Sequence, residues 1–210
     1  MMKYIFPILL FLSLGSCSIL SPIPQKNQYA LEASPPGYFT KTDKACVLQV
    51  SPMQDTPTTQ GTALRYIEKN YELSAFAKNQ WVAPPADLLY PLLLEQMQAS
   101  GAFEGVVSGF EGNPCMRLNT TLLALYQDFR VHPSVITLRM QAQLIFLKGK
   151  QAPISQQIVV SVQAQDTPYG GVVAANGATQ IMLEKLIAFV VNQKAQGHLM
   201  KKRIGSVFLI

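Results

Sequence analysis

Residues 116–165 carry three long alternating segments in succession, and that run limits what the chain can fold into. The segments read MRLNTTLLALYQDF, SVITLRMQAQLIFL and ISQQIVVSVQAQ. Arg130-Val131-His132-Pro133 separates the first two, and Lys148-Gly149-Lys150 the next. In the middle segment Ile136, Leu138, Met140, Ala142, Leu144 and Phe146 fall on one side. Val135, Thr137, Arg139, Gln141, Gln143 and Ile145 fall on the other. A period of two with one wet side is the signature of a half-buried antiparallel strand, because successive side chains point to opposite faces. Consecutive hairpins make a meander. Its apolar face must be covered by something else in the chain.

Two segments can supply the cover. Around residues 76–103, Pro84-Pro85 leads to Asp87, a good N-cap, with Leu88 as the first helical residue. Leu88, Leu89, Leu92, Leu93, Gln96 and Met97 then share one face at spacings of three and four. On that start Pro91 lies in the first turn, where its missing N–H is harmless, and Gly101 ends the helix. Later, Ala178, Ile181, Met182, Lys185, Leu186, Phe189 and Val190 recur at helical spacing, which predicts a second helix over 173–192, after a flexible joint at Tyr169-Gly170-Gly171. Short strands are expected at 29–33, 46–52 and 103–107, with a loop at 54–61. A tight hairpin is expected over 64–73, with Asn70 in the left-handed region. The expected fold is α+β: a mostly antiparallel sheet with two long helices packed on one face. The apolar end, 204–210, reads equally as an edge strand, a docking segment or a disordered tail.

The N-terminus has a different character. Lys3 forms a short positive region, residues 5–14 are apolar apart from Pro7 and Ser13, and Leu14-Gly15-Ser16-Cys17 follows. The run is shorter than the ~20 residues a membrane span needs, and has the layout of a secretory signal. Leu-Gly-Ser-Cys resembles a bacterial lipobox. The resemblance implies cleavage between Ser16 and Cys17 and acylation of the Cys17 thiol; the alternative is an ordinary signal peptide with an incidental Cys. Residues 18–28, with two prolines, read as a tether reaching at most about 40 Å. On the lipobox reading, residues 1–16 are expected to be a lipoprotein signal, 17–28 a lipidated tether, 29–193 the domain, and 194–210 a basic-apolar tail.

Charge and site chemistry narrow the function. The net charge of +5 is mild, and its cluster at Lys194, Lys201, Lys202 and Arg203 reads as a solvated end or as a contact with anionic lipid or a partner. Nucleic-acid binding does not fit an exported chain with so diffuse a basic face. If Cys17 carries lipid, Cys46 and Cys115 remain as a pair: a disulfide in an oxidising compartment, or two buried free thiols. No Cys-x-x-Cys is present and His132 and His198 are far apart, so no metal or other cofactor is expected. Neither a Gly-x-x-x-x-Gly-Lys-Ser/Thr loop nor a Gly-x-Ser-x-Gly elbow occurs, and no catalytic residue is assigned. Trp81, the single tryptophan, is either an exposed partner anchor or a core residue at the start of the first helix.

Leu64-Arg65-Tyr66, Tyr71-Glu72-Leu73, Phe76-Ala77-Lys78-Asn79, Trp81, Pro84-Pro85-Ala86, Leu92-Leu93-Leu94 and Ser100-Gly101-Ala102-Phe103 together resemble the ABC-type transport auxiliary lipoprotein family. The strand trio and Ala-rich final helix follow in the family's order. Cys46, Cys115 and the tail after Asn192 depart from its pattern. The resemblance implies a non-catalytic periplasmic lipoprotein acting with a permease, an ATPase and a substrate-binding protein of the mammalian-cell-entry type, in moving lipid or another apolar solute between membranes. Ser18 after the lipidated Cys implies outer-membrane sorting. Competing readings are a pilot lipoprotein that assists assembly of another envelope complex, and a lipid-anchored hydrolase.

Overall fold

The computed structural model describes residues 25–34, 46–109, 112–149 and 151–207. Among the described residues, eight strands form one mixed sheet, and two helices cover one of its faces. In chain order the elements are β1 (Asn27–Tyr29), β2 (Val47–Val50), β3 (Ala63–Ile67), β4 (Ser74–Trp81), α1 (Pro85–Ala99), β5 (Gly105–Val107), β6 (Met116–Asp128), β7 (Val135–Phe146), β8 (Ile154–Gln163) and α2 (Pro168–Val207).

The expected meander is its centre. β6 and β7 pair antiparallel from Met116↔Phe146 to Asp128↔Val135, and β7 and β8 from Val135↔Gln163 to Leu144↔Ile154. Leu118, Leu138, Met140, Leu144 and Val160 point into the core beneath the helices. One irregularity interrupts the alternation. A bulge between Leu122 and Ala124 moves the core phase of β6 from even residues (Met116, Leu118, Leu122) to odd ones (Leu125, Gln127). The short strands then add parallel pairs: β2 and β3 both lie along β6, β5 along β2, and β1 along β4. The sheet is therefore antiparallel in its long strands and mixed as a whole. Such crossover pairings join residues far apart in sequence and leave no local pattern to read.

Several local expectations are corrected. The first strand is Asn27–Tyr29, and residues beyond it cross onto the helices: Glu32 N–H donates to Asn176 Oδ1 (2.6 Å) and Ser34 N–H to Gln180 Oε1 (2.8 Å). In the β3–β4 hairpin Tyr71 (φ 68°), not Asn70, takes the left-handed conformation, and β4 begins at Ser74, so Tyr71-Glu72-Leu73 belongs to the turn. Helix α1 starts at Pro85, not Leu88; Pro84 occupies the N-cap, so Asp87 is a first-turn acid favoured by the helix dipole. Pro91 consequently lies inside the helix. It is tolerated because Pro91 and Asp87, whose carbonyl loses its partner, are both on the exposed side. Leu89, Leu93, Gln96 and Met97 are the buried stripe, with Leu88 and Leu92 at its margin. Gly101 (φ 64°) closes α1 as expected.

Helix α2 is far longer than 173–192. Thr167 caps it, its hydroxyl accepting the Gly170 N–H (2.9 Å), and Pro168 sits at the first position. Tyr169-Gly170-Gly171 is thus the first turn of a helix, not a joint, and the helix continues to Val207 through most of what reads as a tail. Its buried stripe is Ala175, Ala178, Met182, Leu183, Leu186, Ile187 and Val190, while Ile181 and Lys185 face outward. Residues 208–210 lie outside the described residues.

Candidate functional site

Cys17, the expected lipid-attachment residue, lies outside the described residues. From Gln25 the described chain enters the fold through β1, whose Asn27 Nδ2 donates to Asn79 Oδ1 (3.2 Å) at the outer side of β4. Cys46 and Cys115 come together as a disulfide pair with Cα atoms 5.5 Å apart, tying the start of β2 to the start of β6. The Cys115 N–H also donates to the Val47 carbonyl (3.0 Å), so backbone pairing holds the two sites in register.

Trp81 is 3% exposed and packs in the core. It lines a small cavity of about 10 Å³ with Leu64, Phe76, Gln127 and Gly171, room for no more than one water. In this fold it is the core residue, not an exposed anchor. The reason is topological: Trp81 ends β4, and its N–H donates to Thr62 while the chain turns into α1. Lys194, expected among solvated tail charges, is 4% exposed. Its ammonium donates to the Ala102 carbonyl (2.6 Å) and lies over the Phe103 ring.

A serine, a histidine and an aspartate do meet at the β6–β7 turn, but not in a hydrolytic order. His132 Nδ1 bonds Asp166 Oδ2 (2.9 Å), and Asp166 Oδ1 accepts the Ser134 N–H (2.6 Å). The Ser134 hydroxyl is buried, accepts from Gln127 Nε2 (2.8 Å) and faces the carbonyls of Ala164 and Gln165. A nucleophile needs its hydroxyl against the imidazole and open to substrate. Here the hydroxyl is engaged inward and the imidazole turns to the carboxylate. The hydrogen bonds from His132 and Ser134 hold the Asp166 carboxyl down at about 2. The cluster fastens the β6–β7 turn to the segment entering α2. Among the described residues no group of three or more His, Cys, Asp or Glu is placed to hold a metal ion. No described helix is long and apolar enough to cross a membrane.

A further concave surface among the described residues is one the sequence reading did not find. β8 is an end strand of the sheet, and beside it an open groove of about 480 Å³ runs between the strand and α2. Ile158 and Val159 line one wall, and Lys185, Ala188, Phe189 and Asn192 the other. Its only sequence signal is the lack of charge and proline in Ile154–Gln163.

This mixed sheet under two helices defines an α+β module. Residues 29–188 match the sequence model of the ABC-type transport auxiliary lipoprotein component, and the chain belongs to that family. Its fold is similar to that of a crystallised Xanthomonas campestris protein assigned to the DUF330 family (14% identity, 83% of this chain and 99% of that one, TM-score 0.72). It is also similar to a crystallised uncharacterised protein (17% identity, 80% and 98%, TM-score 0.60). A comparison with curated proteins finds no match.

Proposed function

We propose that the protein is a non-catalytic, lipid-anchored periplasmic subunit of an ABC-type system that moves lipid or another apolar solute between membranes. The family match over residues 29–188 carries the reading. Its leader supports it: Leu14-Gly15-Ser16-Cys17 offers Cys17 as the acyl acceptor, and Ser18 favours the outer membrane. On this reading the lipid on Cys17 holds the domain at the membrane while a surface of the domain docks a mammalian-cell-entry-type substrate-binding protein with its permease and ATPase.

Affinity capture of the lipidated protein from crosslinked envelopes, with mass spectrometry of what comes with it, tests the proposal. Recovery of a substrate-binding protein together with a permease is the expected result. Recovery of only an outer-membrane assembly would replace it with the pilot reading. Retention of acylation in a Cys17→Ala chain would remove the anchor from it.

A further inference from the structure

We infer that the free edge of β8, together with the groove beside it, is the surface through which two copies of this chain pair, β8 against β8, into one continuous sheet. The inference rests on the geometry of β8 and α2 and is independent of the transport reading.

β8 is ten residues long, and among the described residues it pairs with β7 alone. Its outer side therefore presents a row of backbone donors and acceptors. Proteins blunt such edges with short strands, charges, prolines or bulges. The other ends of this sheet, β1 and β5, are three residues each. β8 has no such device: Ile154–Gln163 reads ISQQIVVSVQ, with no charge and no proline, in unbroken register with β7. Val159, at its middle, is 48% exposed.

The groove identifies the occupant. α2 packs over both β7 and β8, so it runs close to the edge. A two-fold axis normal to the sheet would set the second β8 about 4.8 Å from the first. It would bring the two α2 helices side by side over the joined strands, where helices pack at about 8–10 Å. The second copy thus fills the groove with its own helix, over Ala188 and Phe189. A bare peptide strand would satisfy the edge and leave the helical wall open. The strand is also self-complementary. With Val159 opposite Val159 of the other copy, Gln157 meets Ser161 and Ser155 meets Gln163 on the wet face, while Ile158 meets Val160 on the apolar one. No like charges face each other along the strand, and the contact is isologous and closed. Lys185, at the rim, has a stem long enough to carry its ammonium to water.

Val159→Cys in the full lipidated chain tests the pairing directly. On the proposed lipidation and the Cys46–Cys115 pair, the new thiol is the only free one. Mild oxidation of envelopes should give a reducible species of twice the mass. Val82→Cys, at an equally exposed valine (48%) away from β8, should not. Light scattering of the detergent-solubilised protein should give a two-chain mass, and Val159→Lys, which sets two ammonium groups at the axis, should reduce it to one chain with the circular dichroism spectrum unchanged. A one-chain mass for the wild type would overturn the inference. So would a two-chain mass that survives Val159→Lys, or a Val159→Cys thiol that crosslinks to a different protein.

Discussion

The ammonium of Lys194 donates to the carbonyl of Ala102 at 2.6 Å, across 92 residues of sequence. The bond pins α2 to the loop that follows α1, and the same ammonium lies 4.9 Å from the centroid of the Phe103 ring. A charge 4% exposed is tolerated because its polar contacts and the aromatic face replace water. Lys194→Ala removes the donor to that carbonyl and deletes the packed stem. It should cost about 2–3 kcal/mol, read as a lower urea midpoint at unchanged slope. Lys194→Met, which keeps the stem, should lose less. Equal losses for the two variants would assign the effect to the lost ammonium donor alone, and not to packing of the stem.

Two glycines of α2 should respond to alanine in opposite directions. A Cβ at Gly171 would fall on Oε1 of Gln127. Gln127 cannot give way easily, because its Nε2 is held by Ser134 Oγ (2.8 Å) and the Gln165 carbonyl (3.0 Å). Gly171→Ala should therefore destabilise the fold by about 1–3 kcal/mol, the usual cost of overpacking. At Gly177 the added methyl would lie 3.9 Å from a Val162 methyl, ordinary contact, on an exposed helical turn. Gly177→Ala should raise stability by about 0.5–1 kcal/mol by helix propensity. Thermal melts of the two variants, side by side, check the contrast.

That pair of glycines also shows what the sequence could and could not disclose. Strong local periods were readable: the alternation of β7, the Leu89–Leu93–Met97 stripe, and the stop at Gly101 all appear as expected. Gly170-Gly171 was not, since a glycine pair signals flexibility unless one knows that Gln127, 44 residues earlier by numbering, occupies the space a side chain would need. The bulge at Leu123 was visible only as a lapse in alternation, Leu122-Leu123-Ala124-Leu125. Lys194 sits in a basic run, and burial of one charge among several depends on which turn of α2 meets the Ala102 loop. The β8 groove depends on sheet order, which parallel pairings such as β3 with β6 determine over distances no window spans.

Acid should loosen the β6–β7 turn. The Asp166 carboxyl is lowered from 3.8 to about 2 by its bonds from His132 and the Ser134 N–H. A carboxyl with a depressed value in the folded state binds its proton more weakly there than in the unfolded chain. Its contribution is therefore fully present above about pH 4 and is lost as pH falls toward 2. Melting temperature followed from pH 5 to pH 2 should drop in the wild type, and part of that drop should vanish in Asp166→Asn. The variant should also be less stable than wild type at pH 5 and converge on it at low pH. Parallel curves for the two proteins would show that other carboxylates, such as Asp128 beside Arg130, carry the acid dependence.

Reduction should matter more than any single substitution at the surface. Cys46 and Cys115 close a loop with a sequence separation of 69. Cross-linking so long a loop removes entropy from the unfolded chain worth about 4 kcal/mol on the loop-length model, a large share of the 5–15 kcal/mol typical of a domain. The native sheet itself need not change, because the strands that carry the pair are already registered by Cys115 N–H to Val47 and by Leu48↔Met116. Cys46→Ser with Cys115→Ser should then keep the wild-type circular dichroism spectrum while moving the denaturation midpoint down by an amount equivalent to about 2–4 kcal/mol. Reductant should reproduce that loss in the wild type and have no effect on the double variant. Intact mass without reductant, two daltons below the dithiol value, checks the bond. A wild-type protein that alkylates at both cysteines without reductant would make them free buried thiols instead, and reductant would then leave its midpoint where it was.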